Sequence, residues 1–302
     1  MSSTPHYLFP PTVNGINYNG QPVDRLYVNG SLAYDAEWLV YSMTADAEGK
    51  LAFQHYYSQP HKFYFEVKGL GYSSNHNVPI HWKFPPASRN SGWQLWWYGG
   101  YVPNREYMIR VKVVSTNNVD GVFHLGDPGH GVAERKLTAI HSWGTHPINT
   151  LYRLFKDATN DVNYIPDHLP RGCVSLYDTF RSYTGTMHSN ISLWDVSKVE
   201  MMYGTFSFCQ MKGINVENWF PDSLVNGNYM FIWSSINQDL GGWRPKNAIS
   251  LYQTMHGCSK NTKSNLSNWC CEKVPASQLS LFGKLSPFWE NSSNWPKFGV
   301  PC

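Results

Sequence analysis

Bulky apolar residues return with a period near 25 along the second half of the chain. Trp194, Trp219, Trp243, Trp269 and Trp295 are separated by 25, 24, 26 and 26 residues. Carried backwards, the series reaches Leu169 and then Trp143. A second ladder keeps step with it, at Phe155, Phe180, Phe206, Phe231, Met255 and Phe282. A third follows each rung by five positions, at Ile148, Val174, Val199, Leu224, Ala248 and Val274. A unit of this length cannot bury a core alone, so the units must stack and share one. With one coil per unit at the spacing of neighbouring strands, the array is a rod about 30 Å long. Turn formers at Asn190, Gly241-Gly242, Asn265 and Ser292-Ser293 let a short coil change direction. Within a unit no apolar spacing of 3.6 persists, so a helical reading fails.

The first half follows a different rule. Phe63, Phe65 and Val67 alternate with Tyr64, Glu66 and Lys68, and Tyr107, Ile109, Val111 and Val113 alternate with Met108, Arg110 and Lys112. Period-2 alternation predicts half-buried antiparallel strands. Turn formers divide them at Gly69, Asn75, Asn77, Pro85-Pro86, Gly99-Gly100 and Asn117-Asn118. A β-sandwich is expected over 46–125. Ahead of it, Pro5, Pro10 and Pro11 break any regular start, and Asn29-Gly30 sits between two short alternating runs, a strong hairpin signal. The reading is a mainly β chain: an N-terminal arm and hairpin (1–45), a β-sandwich (46–125), a junction (126–142), and a leucine-rich-repeat-like solenoid of about 25-residue coils with a C-terminal cap (143–302). The prolines of 283–302 suit a cap because they stop further strand pairing.

Composition narrows the function. Charged residues are only 15% and aromatics 16%, a balance suited to a structural or sugar-contacting surface. Net charge is +3 with no basic cluster, so no nucleic-acid partner is expected. No run approaches 18 apolar residues, so no membrane span is expected. The opening Met-Ser-Ser-Thr-Pro-His lacks a charged and then apolar leader, so no signal peptide is expected. Of the six cysteines, Cys209 and Cys258 occupy equivalent positions two coils apart. That is roughly 10 Å, beyond disulfide reach. Cys173, Cys270, Cys271 and Cys302 complete the set, and small thiols filling the coil interior are expected. A zinc site from Cys258, Cys270 and Cys271 has no recognised spacing.

Two phrases carry a family resemblance. Ile191-Ser192-Leu193-Trp194-Asp195-Val196-Ser197-Lys198-Val199 and Ile236-Asn237-Gln238-Asp239-Leu240-Gly241-Gly242-Trp243 resemble the BspA-type leucine-rich surface repeat, and Leu137–Thr145 resembles the lead-in that opens such arrays. The resemblance covers about 137–302. It implies a curved solenoid of short strands, surface exposure and adhesion, without catalysis, of the kind carried by phage virion and tail fibre proteins. The phrase Leu26–Asp35 is similar to a hairpin near the start of phage structural proteins.

One stretch invites a binding claim. Trp93, Leu95 and Trp97 share one side of a strand, Trp96 and Tyr98 the other, with Tyr101 beyond. Two readings stay open: a central strand buried on both faces, or a glycan or subunit contact. Glycoside cleavage needs paired carboxylates, and Asp161, Asp167, Asp178, Asp195, Glu200, Glu217 and Asp239 form no recognisable pair. Asp195 is expected to bond backbone in a turn. His124, His130, His141 and His146 are scattered around Asp127 and Trp143. No catalytic, cofactor or metal residues are assigned. The expected function is a non-enzymatic phage virion structural protein, for tail fibre or baseplate attachment or capsid decoration. Its arm contacts other virion proteins, its solenoid meets a host-surface glycan or protein, and it forms a homo-oligomer in the particle after assembly in the host cytoplasm. A bacterial cell-surface adhesin is the alternative, and a polysaccharide depolymerase a third.

Overall fold

The computed structural model describes 39–45, 103–110, 137–145 and 147–301 with their side chains, residues 47 and 49, and the backbone of further strands between 16 and 125. The chain is mainly β and turn, and the described residues include one α-helix, α1 (Leu279–Phe282). Two short hairpins come first. β1 (Ile16–Tyr18) pairs with β2 (Gln21–Val23), and β3 (Arg25–Val28) pairs with β4 (Ser31–Asp35), both antiparallel. Val28 opposes Ser31, and the Asn29-Gly30 pair between them in sequence lies outside the described residues. The sequence also carries Asn19-Gly20 between β1 and β2.

Two sheets follow. The first has the order β12-β5-β10-β7-β8, built from β5 (Leu39–Thr44), β7 (His61–Gly69), β8 (Trp82–Lys83), β10 (Glu106–Ser115) and β12 (Leu137–Trp143). Val67 opposes Ile109 and Phe65 opposes Val111, so the two alternating segments pair with their apolar positions in register. Alternation puts Leu39, Tyr41, Met43, Tyr107 and Ile109 in the core. The second sheet has the order β13-β11-β6-β9, from β6 (Leu51–Tyr57), β9 (Gly92–Tyr98), β11 (Phe123–Leu125) and β13 (Ile148–Thr150).

β13 is where sheet becomes array. It pairs in parallel with β11, while Thr150 bridges Ser175 of the next coil. From there, parallel bridges run Ser175, Met201, Asn226, Ser250. The sheet edge is therefore covered by the first coil, which leaves no exposed pairing edge there. One buried cluster runs from Leu39 through the coils to Phe298.

The coils are turns rather than strands. Alternate amides, of Leu151, Arg153, Phe155 and Asp157, donate to carbonyls of the next coil at 2.8–3.1 Å. Those between, of Leu154, Lys156 and Ala158, close turns on residues three back. The expectation of short strands is thus corrected: the coil satisfies half of its amides internally, which a strand cannot do. Tight winding places Arg153, Asp178, Tyr229 and Gln253, and again Asp157, Ser182, Phe208 and Trp233, at φ of 51–58°. This left-handed backbone costs roughly 1–2 kcal/mol per residue, offset by the coil-to-coil hydrogen bonds.

Inside, Phe155, Phe180, Phe206 and Phe231 stack in parallel at 5.2–5.3 Å. Trp194 stacks on Trp219 at 6.0 Å and Trp243 on Trp269 at 5.8 Å. Each of these indoles donates its N–H to the preceding coil, to the carbonyls of Pro166, Ile191, Val216 and Leu240 respectively. That bond explains tryptophan over phenylalanine at the rung. Thr179, Thr205 and Thr254, each just before a rung of the second ladder, also donate hydroxyls one coil back. Some rungs depart from the pattern. Trp143 lies in β12 and its N–H reaches forward to the His168 carbonyl. Leu169 is only partly buried, and Val174 is 37% exposed while Cys173 is buried. Val174 donates to Asn149, so Cys173 matches Ile148 and the ladder slips by one residue.

The last coil ends against a cap. Leu251 N–H, whose equivalents bond a backbone carbonyl, donates instead to Gln278 Oε1 at 2.8 Å, and Gln278 Nε2 bonds Ser250 Oγ. A side-chain amide stands in for the missing coil. Gln278→Ala is expected to cost about 1–3 kcal/mol by orphaning a buried N–H, read by denaturant unfolding; a loss below the error of the fit would discard the stand-in role. Trp295 stacks on Trp289 at 4.2 Å and donates to the Trp289 carbonyl, so it belongs to the cap. β14 (Cys270–Cys271) pairs in parallel with β15 (Lys297–Phe298). Cys271 is a buried free thiol, whereas Cys270 is disulfide-bonded, which corrects the expectation of interior thiols throughout. Alternation along β14 turns the two side chains to opposite faces.

Candidate functional face

The aromatic stretch of the first half lies in β9, with Trp96 opposite Phe53 and Trp93 opposite Tyr56. β9 ends the order of its sheet among the described strands. The side chains of Trp93, Trp96, Trp97 and Tyr98, and all of Tyr101, lie outside the described residues, as do residues 1–15, His130 and His146.

The array carries an outward row that the sequence reading missed. Beside each bridge, Leu151, Leu176, Met202 and Leu251 turn inward, and the next residue turns out. Tyr152, Tyr177 and Tyr203 fill that outward position and stack at 5.1 and 4.8 Å. In the fourth coil Asn228 holds the place, and Tyr229, at φ 57°, brings its ring into the row. Tyr229 contacts Tyr203 at 5.3 Å and Tyr252 at 5.5 Å, edge to face. All five are half-buried. The signal was present, as tyrosines three residues before Phe155, Phe180, Phe206 and Met255, but an outward row leaves no apolar trace.

Two further groups belong to these turns. Phe208 and Trp233 occupy equivalent left-handed positions and are 49% and 48% exposed. The Trp233 ring meets His256 edge-on at 5.5 Å. At the other end, the Asp178 carboxylate is fully buried and holds Arg153 Nε at 3.2 Å and Arg181 Nη1 at 3.5 Å. The Arg153 guanidinium also lies 4.8 Å from the centre of the Tyr152 ring. Burial pushes the Asp178 carboxyl up from its ordinary value, opposed by Arg181 and Arg153. Its Oδ1 has no hydrogen-bond partner and faces Gly204.

Most of the other carboxylates weighed for catalysis are engaged within a turn or from coil to coil. Asp195 accepts from Ser197 N–H, which holds its carboxyl below the usual range. Asp161 accepts from Thr186 N–H, Asp239 from Gly241 N–H and Glu217 from Asp239 N–H. Asp167 lies against His168. His141 bonds Ser42 Oγ at 2.7 Å, and its burial lowers its pKa against the pull of Glu106. Among the described residues no group of three or more His, Cys, Asp or Glu is placed to hold a metal ion, and no helix is long and apolar enough to cross a membrane.

The buried thiols give a test. Burial pushes Cys173, Cys209, Cys258 and Cys271 from 9.0 up to about 12. The folded state keeps these protons where the unfolded state loses them, so stability is unaffected below pH 9 and falls as pH climbs above it. Unfolding midpoints are expected to drop between pH 9 and 11, and the four thiols to resist a thiol reagent at pH 8 until the chain unfolds. Rapid labelling of the native protein at these four would contradict the burial.

Residues 174–295 match a family model described as Mycoplasma protein of unknown function, DUF285. This supports a BspA-like repeat family for that stretch. No curated protein and no solved structure matches the chain.

Proposed function

We propose that the coils wind as a leucine-rich-repeat-like solenoid carried on a β-sandwich, and that the chain is a non-enzymatic virion structural protein whose solenoid attaches to a host surface or to neighbouring subunits. The observation that carries attachment is the outward row of Tyr152, Tyr177, Tyr203, Tyr229 and Tyr252. A coil needs its inward rings to fold, whereas half-exposed rings repeated coil after coil are surplus to the core. Rigid aromatic side chains lose little entropy on contact and anchor interfaces. The virion setting draws on the hairpin at Leu26–Asp35 and its likeness to phage structural proteins. In this reading the N-terminal arm docks on other virion proteins, and copies of the chain follow the symmetry of the particle.

The family description names a cellular source, Mycoplasma, and that favours the second reading, a cell-surface adhesin. Fluorescently labelled full chain, incubated with intact cells of a candidate host, is expected to be retained, and retention is expected to fall on Trp233→Ala. Retention on no surface, with no chain found in purified particles, would end the attachment reading. Deletion of residues 1–24 is expected to block incorporation into particles. New reducing ends from host capsule would overturn the non-enzymatic assignment.

A further inference from the structure

We infer that the tyrosine face of the coils binds an acidic glycan, with uronic carboxylates at Arg153 and Arg181 and sugar rings along the row from Tyr152 to Tyr252 and on Trp233. The inference rests on the attachment reading and names its ligand class. Asp178 is fully buried beneath two arginines whose side chains are 20% and 40% exposed, so the surface presents the cations while the carboxylate is hidden. Asp178 takes Nε of Arg153 at 3.2 Å, and the guanidinium lies beside the Tyr152 ring. Lys156 pairs with Asp157 at 3.4 Å. A buried carboxylate with one oxygen unpartnered is costly, and packing alone does not require it. What it accomplishes is to hold two guanidiniums in fixed places beside Tyr152 and Tyr177, ready for a planar carboxylate.

Ring centres along the row advance by 4.8–5.5 Å per coil, on the scale of a single sugar ring, so a linear chain meets one phenol at each unit. Further along, Phe208 and Trp233 offer half-exposed rings for stacking. A peptide is disfavoured because an extended peptide docks through free backbone groups. The coil amides of Arg153, Asp178, Gly204 and Tyr229 are already spent on the next coil.

The test is titration of the full chain with size-defined polygalacturonate, followed by Trp fluorescence and calorimetry, with dextran as the neutral chain and poly-glutamate as the acidic peptide. Polygalacturonate is expected to bind, and to weaken several-fold as salt rises from about 50 to about 500 mM. Arg153→Gln with Arg181→Gln is expected to weaken binding about tenfold or more. Arg181→Gln alone serves if the double variant fails to fold. Asp178→Asn, a positioning change that releases both guanidiniums from their fixed places, should weaken polygalacturonate binding while binding still falls as salt rises, and Trp233→Ala should weaken it without altering the salt dependence. Dextran or poly-glutamate binding as tightly as polygalacturonate overturns the inference, as does no binding, or binding indifferent to the arginine variants. Attachment to cells without polygalacturonate binding removes this ligand class alone. Polygalacturonate binding without attachment to any surface removes the attachment reading instead.

Discussion

Replacing Trp219 with alanine is expected to cost about 3–5 kcal/mol, the range for emptying a large buried aromatic site. The side chain is fully buried. It stacks on Trp194 at 6.0 Å, tilts against Phe206 at 5.8 Å, and donates its N–H to the Ile191 carbonyl at 3.0 Å. Neighbouring coils share the wall of that site, and they cannot collapse into it without breaking the coil-to-coil hydrogen bonds of their own turns. Trp219→Phe separates the two contributions: it keeps most of the ring but removes one of the two hydrogen bonds to the Ile191 carbonyl, which still accepts from Trp194 N–H, and is expected to cost about 0.5–1.5 kcal/mol. Denaturant unfolding followed by circular dichroism measures both. A loss under about 1 kcal/mol for alanine would mean that the rung is not shared between coils.

Gly213→Ala is expected to be nearly as damaging, about 3 kcal/mol, through overpacking and backbone strain. Gly213 has φ +73°, and an added Cβ would fall 2.0 Å from the Met187 carbonyl oxygen, one coil back. Gly185 meets the Asn160 carbonyl at the same 2.0 Å. The obstruction is backbone, so relief requires the coils to part, which would strain the neighbouring coil-to-coil bonds. Gly242→Ala is the control, since its Cβ would meet only the Phe220 ring at 3.6 Å. A fall in Tm of about 6–12 °C for Gly213→Ala, against almost none for Gly242→Ala, is expected in thermal melts. Equal Tm values would show that the coils do not approach as closely as the structure places them.

The candidate face was less legible than the core. A period of one coil is written in every residue type that must face inward, because burial restricts those positions to a few bulky side chains. An outward row carries no such restriction. Tyrosine, arginine and aspartate at Tyr152, Arg153 and Asp178 read as ordinary surface until the winding sets them side by side. Two of the carboxylates considered for their chemistry, Asp195 and Asp239, serve turns. Local hydrogen bonding of that kind leaves no paired spacing in a sequence.

The sequence by itself determined the period of the coils, the inward ladders of Phe and Trp, the alternation of β7 and β10, and the hairpin around Asn29-Gly30. All are local: they depend on chain length per turn, on side-chain size, or on backbone preference over a few residues. Tertiary structure alone decided that Cys173 and not Val174 points inward, that the coils are turns closed by left-handed residues, that β13 joins sheet to array, and that Gln278 ends it. Those outcomes depend on which amide meets which carbonyl about 25 residues away, and no single coil contains both partners.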